Sequence, residues 1–253
     1  FSGLPLLHGG LNHNSKGRFW YVLLFLVAGF MVFFSFSRGS WLAGVLVSAG
    51  LIFIYPRQML KLGMVTLLFL FFLLGSGILS NYIEYAQERF YSDQSEQTAL
   101  SRLPVMYASY RMFEEKPLFG WGYGNFDEYD FQFQQRIGDL VTPEKDHASH
   151  NLYLTLLSEQ GLVGFLSFLA PAFWWLILTV RAFPHMPAEG FWSRKLVVIL
   201  WLVLLFQFVV NNFSNMRVVF GLGTWWLALG LIATIVSSHL DSNGQRLASF
   251  RES

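Results

Sequence analysis

The densest chemistry in this chain lies in the run His147-Ala-Ser-His-Asn-Leu-Tyr-Leu-Thr-Leu-Leu-Ser-Glu-Gln-Gly161. Asn151, Thr155, Ser158 and Glu159 recur at helical spacing, opposite a face carrying Leu152 and Leu156, so a short helix here presents a polar stripe. His150 stands at the outer end of that stripe, where an imidazole that titrates near neutrality can reach both water and a membrane-level cavity. His147 and His150, at i and i+3, also read as a metal pair. A zinc site needs a third protein ligand, however, and two histidines in a polar loop are more often simply solvated, so no metal is expected. Gly161 is placed to bend the chain into the segment that follows.

A second group of residues lies upstream. Ser101 can cap a helix that begins at Arg102, with Pro104 tolerated in its first turn and Pro117 ending it. Leu103, Met106, Tyr107, Tyr110 and Phe113 share one face of that helix, which predicts an amphipathic element lying on a membrane or packing on a bundle. Arg102 would sit at the positive end of the helix dipole, where a cation gains nothing unless an anion binds nearby. The following run, Phe119-Gly-Trp-Gly-Tyr-Gly-Asn-Phe126, superficially suggests a phosphate loop. No strand precedes it and no Lys-Ser/Thr closes it, so a tight, aromatic-rich turn is the expectation.

These groups must be positioned by very apolar elements. Of the 253 residues 54% are hydrophobic, 18% aromatic and only 13% charged, too apolar for an ordinary soluble domain of this length. A bilayer core needs about 20 mostly apolar residues per helix, and six stretches approach that length: 19–36, 41–55, 60–79, 161–183, 196–213 and 218–238. Basic residues in short connections fall mainly on one side, at Lys16, Arg18, Arg57, Lys61, Arg181, Arg194, Lys195, Arg246 and Arg251. That side is predicted to be cytoplasmic. Only Arg38 and Arg217 break the bias, and either can snorkel from a helix end to the headgroups.

The resulting fold class is all-α: a polytopic membrane helical bundle with an outer helical insert. Residues 1–79 would carry spans one to three, 80–150 the insert, 151–240 spans four to six and 241–253 a cytoplasmic tail. The chain opens at Phe1 without a signal pattern, so it reads as the later portion of a longer protein. The absence of cysteine excludes disulfides and thiolate chemistry within these residues. A net charge of +1 carries no argument about partners.

Ser37-Arg-Gly39 after a span, Arg102 opening a helix that leads to Glu115-Lys-Pro-Leu-Phe-Gly-Trp-Gly-Tyr-Gly-Asn-Phe126, and His150-Asn-Leu-Tyr-Leu154 running into Glu159-Gln-Gly-Leu-Val-Gly164 together resemble the O-antigen ligase and polymerase superfamily. The resemblance covers roughly residues 19–238. It implies a multi-pass enzyme of the bacterial inner membrane whose insert and active face are periplasmic. It implies an inverting glycosyltransferase that moves a glycan from an undecaprenyl diphosphate carrier to lipid A-core, or to another glycan or protein acceptor. Ligase-like transfer is the first reading and repeat-unit polymerisation the alternative.

Within that resemblance Arg38 and Arg102 match the family's arginines and would bind the donor diphosphate, with Arg217 a weaker third candidate. Guanidinium groups suit this task because they stay charged and fork onto phosphate oxygens. His150 matches the histidine of the family's His-Asn motif and would act as the catalytic base. Trp121, Tyr123, Asn151 and Glu159 are possible glycan or acceptor contacts, Glu159 alternatively serving helix packing. Most of Trp174, Trp175, Trp192, Trp201, Trp225 and Trp226 read as interfacial anchors or lipid-facing bulk. No cofactor is expected, and membrane lipids rather than nucleic acid are the other partners. A transporter is the rival from another class, disfavoured because the spans hold few Asp, Glu, Lys or His residues.

Overall fold

The computed structural model describes residues 8, 16–33, 35, 37–77, 102–134, 149–213 and 219–251. Among the described residues the regular structure is helical: α1 (Lys16–Phe33), α2 (Arg38–Ile54), α3 (Pro56–Gly75), α4 (Arg102–Glu115), α5 (Phe126–Phe133), α6 (Leu152–Ala182), α7 (Arg194–Val210) and α8 (Val219–Arg251). A short 3₁₀ turn, Phe183–His185, follows α6. All six apolar stretches of the sequence fall on helices: α1, α2, α3, α6, α7 and α8. Their expected ends at Phe36, Leu79 and Val218, and the capping residue Ser101, lie outside the described residues.

Two segments, Leu152–His185 and Leu222–Leu240, are long and apolar enough to cross a bilayer; Leu23–Val32 and Arg38–Ile54 are shorter apolar helices. The surface carries large side chains that water would not tolerate in such density: Leu67, Leu68, Phe71 and Phe72 lie exposed around successive turns of α3. Lipid tails are as apolar as these residues, so leaving them outward costs nothing in a membrane.

The contacts divide the chain into two units. One comprises residues 1–47, 166–210 and 216–253; the other comprises 48–165 and 211–215. In the first, α7 buries Leu196, Val197, Ile199, Leu200, Val203 and Leu204, and α8 buries Trp225, Ala228, Leu229, Ile232, Ile235 and Val236, each at helical spacing along a packed face. The Phe168 and Trp225 rings stack at 5.3 Å, and Trp201 Nε1–H donates to the Thr179 hydroxyl at 3.2 Å.

In the second unit α4 packs on α5 through Val105, Met112 and Phe126, joined by Trp121, Tyr129 and Phe133. The helix begins at Arg102 and stops before Pro117, as its punctuation predicts. Its buried face differs from the predicted one. Pro104, Val105, Ala108, Ser109 and Met112 face inward, whereas Leu103 and Tyr110 are exposed. Two adjacent apolar stripes compete on this helix, and the one with smaller residues wins the close contact. The bulkier stripe remains for the surface, where Tyr110 pairs with Glu114 and its phenol is pushed above the usual range by that hydrogen bond.

Candidate functional site

The second unit is held together at a break in α6. Gly161 has φ +64° and ψ −165°, a conformation essentially reserved for glycine, which splits the helix after Gln160. Such a break opens two i→i−4 pairs: the carbonyls of Ser158 and Glu159 lose the amides of Leu162 and Val163. The glycine-rich turn fills both gaps. Trp121 and Gly122 amides donate to the Ser158 and Glu159 carbonyls at 3.0 and 2.7 Å, while Leu162 and Val163 amides donate to the Pro117 and Leu118 carbonyls at 2.8 and 3.1 Å. The Glu159 carboxylate adds a fifth bond, accepting from the Phe126 amide at 3.0 Å at the start of α5.

This seam explains the glycines without any phosphate. A Cβ on Gly161 would stand 2.3 Å from the Leu118 carbonyl oxygen, and one on Gly120 2.4 Å from the Glu159 carbonyl carbon. Backbone meets backbone there, so side chains are excluded. Glu159 is 1% exposed and serves the seam through both its main chain and its carboxylate.

Trp121 belongs to the same structure. Its indole N–H donates to the Met112 carbonyl at 2.9 Å, its ring contacts Tyr129 and Phe133, and Lys116 Nζ lies 3.5 Å from its centroid. Tyr123, two residues on, is 70% exposed and is the more accessible aromatic face.

At the other end of the first segment of α6, Asn151 is the N-cap. Its Oδ1 accepts from the amides of Tyr153 and Leu154 at 3.0 and 3.1 Å. Ser149 and Thr155 hydroxyls hydrogen-bond to each other, and Thr155 also donates to the Asn151 carbonyl at 3.0 Å. The polar stripe read from the sequence is therefore buried along with Leu152 and Leu156, its hydroxyls satisfied locally. His150 precedes the cap, half-buried, with φ +51°, in the left-handed region that histidine visits more readily than most residues.

The Leu152 amide, left unpaired by the helix start, donates to the Asn211 carbonyl at 2.9 Å. Asn211 thereby joins the His150 segment although the two are far apart in sequence. The only sequence signal for it was a cluster of asparagines, Asn211, Asn212 and Asn215, beside Arg217. Asn211 is 1% exposed, and its carboxamide is a hydrogen-bond partner of the Tyr153 phenol.

Arg102 is the first residue of α4, and its Nε is buried with no acceptor among the described residues. Arg38 is the first residue of α2, behind Ser37, whose hydroxyl caps the Ser40 amide at 3.4 Å; its side chain is exposed and belongs to the first unit. Both arginines thus occupy the anion-favouring end of a helix. Arg102, His150, Asn151, Glu159, Trp121 and Tyr123 all fall in the second unit. Arg217 and His147 lie outside the described residues.

A family model described as O-Antigen ligase matches residues 23–169, more than half of the chain. The match contains Arg38, Arg102, His150 and the whole α6 break, and stops short of Asn211 and Arg217. No curated protein matches the chain.

Proposed function

Because this chain belongs to the O-antigen ligase family, whose members are membrane glycosyltransferases of the O-antigen ligase or polymerase type, we propose that it transfers a glycan from an undecaprenyl diphosphate carrier to an acceptor hydroxyl. The transfer takes place at the periplasmic face of the inner membrane. Lipid A-core is the first acceptor and a growing repeat-unit chain the second.

The observation that carries the donor assignment is the Arg102 guanidinium. Its buried Nε–H has no acceptor among the described residues, which is costly for a charged group, and a phosphate oxygen is the acceptor that best offsets that cost. Its position at the start of α4 adds the helix dipole to the same anion. The family pattern gives Arg38 a diphosphate-binding role, and Arg217 is a weaker third candidate outside the matched segment.

In the reaction, the acceptor oxygen attacks the anomeric carbon from the face opposite the leaving group. The bond from that carbon to the phosphate oxygen breaks, and the carrier diphosphate leaves with the electron pair. Neutral His150 takes the acceptor proton, and the product is inverted. Charge grows on the diphosphate as the bond lengthens, so a fixed guanidinium in a partly dehydrated site stabilises the transition state more than the ground state. Tyr123 is the aromatic face open to a sugar ring, while Asn151 and Glu159 hold the framework.

The test is transfer by the full-length protein given an undecaprenyl diphosphate-linked oligosaccharide, lipid A-core and chelator, beside Arg102→Ala, Arg38→Ala and Arg217→Ala. Release of carrier diphosphate that is lost in Arg102→Ala supports the reading. A lipid A conjugate identifies a ligase and a lipid-linked ladder a polymerase. Equal turnover in wild type and Arg102→Ala would falsify the diphosphate assignment.

A further inference from the structure

We propose that Leu118 and Phe119 insert into the acyl region of the bilayer beside the first turn of the long segment of α6. The glycine-rich turn would then anchor the second unit in the membrane as well as fill the helix break. The inference rests on α6 as a membrane span and not on the transfer reaction.

The backbone fixes the level of this turn along the span. No charged residue occurs between Glu159 and Arg181. The helix that follows the break at Gly161 runs about 20 residues, which at 1.5 Å per residue matches a hydrocarbon core of about 30 Å. The break therefore marks the end of the apolar span. Two bonds hold the turn at that end, since the Leu162 and Val163 amides donate to the Pro117 and Leu118 carbonyls at 2.8 and 3.1 Å. An ideal Cβ on Gly161 would stand 2.6 Å from the Phe119 amide nitrogen, so the Leu118–Phe119 peptide lies directly against the break.

The side chains at this level are apolar and outward. Leu118 is 58% and Phe119 73% exposed, and Leu162 and Val163, in the first turn of the span, are exposed as well. Water penalises such a cluster, whereas lipid tails are as apolar as these residues. The surroundings of Leu162 and Val163 in a span are lipid, and the two backbone bonds carry Leu118 and Phe119 into the same surroundings.

The main chain also suits insertion, because groups that face lipid cannot borrow hydrogen bonds from water. Pro117 has no N–H, its carbonyl and that of Leu118 are taken by α6, and the Gly120 amide donates to the Lys116 carbonyl at 3.0 Å. Charge begins immediately before the tip, where Glu114, Glu115 and Lys116 are exposed. Lys116 Nζ lies 3.5 Å from the Trp121 ring centroid, a cation and an indole that both suit the headgroup level. Such an anchor fixes the depth of the first segment of α6, and with it His150 just before the cap.

Depth can be read from a nitroxide on a single introduced cysteine. The protein is the otherwise cysteine-free full-length chain, reconstituted in vesicles of phosphatidylethanolamine and phosphatidylglycerol. Oxygen concentrates among acyl chains, whereas a nickel chelate stays in water. Phe119→Cys, at an exposed position, should give an oxygen-to-nickel accessibility ratio several-fold above that of Glu128→Cys, an exposed charged position of the same unit. The ratio should be comparable with that of Val163→Cys. Leu118→Cys should agree, and it carries the test should Phe119→Cys fail to fold. Nickel access at Leu118→Cys and Phe119→Cys equal to that at Glu128→Cys would put the turn in water and overturn the inference. Exclusion of both reagents from the two labels would mean that protein covers the tip, and would overturn it equally. Nickel access at Val163→Cys would instead remove α6 as a span, and the inference with it.

Discussion

At His150 the backbone constrains how its chemistry can be tested. A residue at φ +51° is strained for most side chains, by about 1 kcal/mol or more, whereas Asn and Gly accept it. Alanine there would combine loss of the imidazole with a worse backbone, and a drop in activity would be ambiguous. Asparagine keeps a left-handed-tolerant side chain without a basic nitrogen. His150→Asn should lower turnover by roughly 100-fold or more, the range of a lost general base, while the melting temperature stays within a degree or two of wild type. Near wild-type turnover in this variant would remove the base assignment. His8 offers a different use of the same side chain. It is buried, its Nε2 donates to the Phe191 carbonyl at 2.7 Å, and burial, helped by Lys195, lowers its pKa below 6.5. The unfolded state then binds more protons than the folded one as pH drops below about 6.5, so this contribution is complete above that pH and is lost as pH falls through the folded value. Melting curves between pH 7.5 and 5 should show wild type losing more stability than His8→Gln; parallel curves would show that His8 does not couple to the fold.

At the scale of elements, the α6 break is the part whose failure should be most visible. Gly161→Ala forces a Cβ towards a backbone oxygen that stands 2.3 Å from its ideal position and requires a positive φ, so a loss of about 2 kcal/mol or more is expected. Hydrogen exchange should locate that loss: the Trp121 and Gly122 amides, which donate to the opened helix, should lose protection before those of α7. Uniform exchange across the chain would mean that the seam is not a separate element. Glu159→Ala should destabilise less, because it removes one of the five bonds and leaves the two main-chain pairs. The start of α4, the bend at Gly161 and the six apolar helices were legible because each rests on local signals: proline and glycine positions, or unbroken hydropathy. The buried face of α4 was not, since two neighbouring stripes are both apolar and only the partner α5 decides between them. Glu159 with the Phe126 amide, and Asn211 with the Leu152 amide, were illegible for the same reason. Each joins residues that are distant along the chain, and neither has a composition cue that names its partner.

For the whole molecule, hydropathy and charge make one joint claim that neither makes alone. Exposed Leu67, Leu68, Phe71 and Phe72 on α3 require an apolar surrounding, and the membrane association of the family supplies it. Orientation rests on the basic residues, which would put the connection from α6 to α7, flanked by Arg181, Arg194 and Lys195, in the cytoplasm. The same count would put the insert that carries Arg102, Tyr123 and His150 outside. These residues contain no cysteine, so each side can be probed by a single introduced thiol. Tyr123 and Ala188 are both exposed, in the insert and in the α6–α7 connection respectively. In otherwise cysteine-free full-length protein in right-side-out inner-membrane vesicles, Tyr123→Cys should react with a membrane-impermeant maleimide and Ala188→Cys should react only after detergent is added. The chemistry depends on this outcome, because a donor already activated as a lipid diphosphate is needed on the side that lacks nucleotide sugars. Labelling of both positions from the same side would place an even number of crossings between them and remove the topology from which the periplasmic assignment is drawn. Reversed labelling would keep the single net crossing and turn the insert towards the cytoplasm, where the same arginine would face a different pool of glycosyl donors.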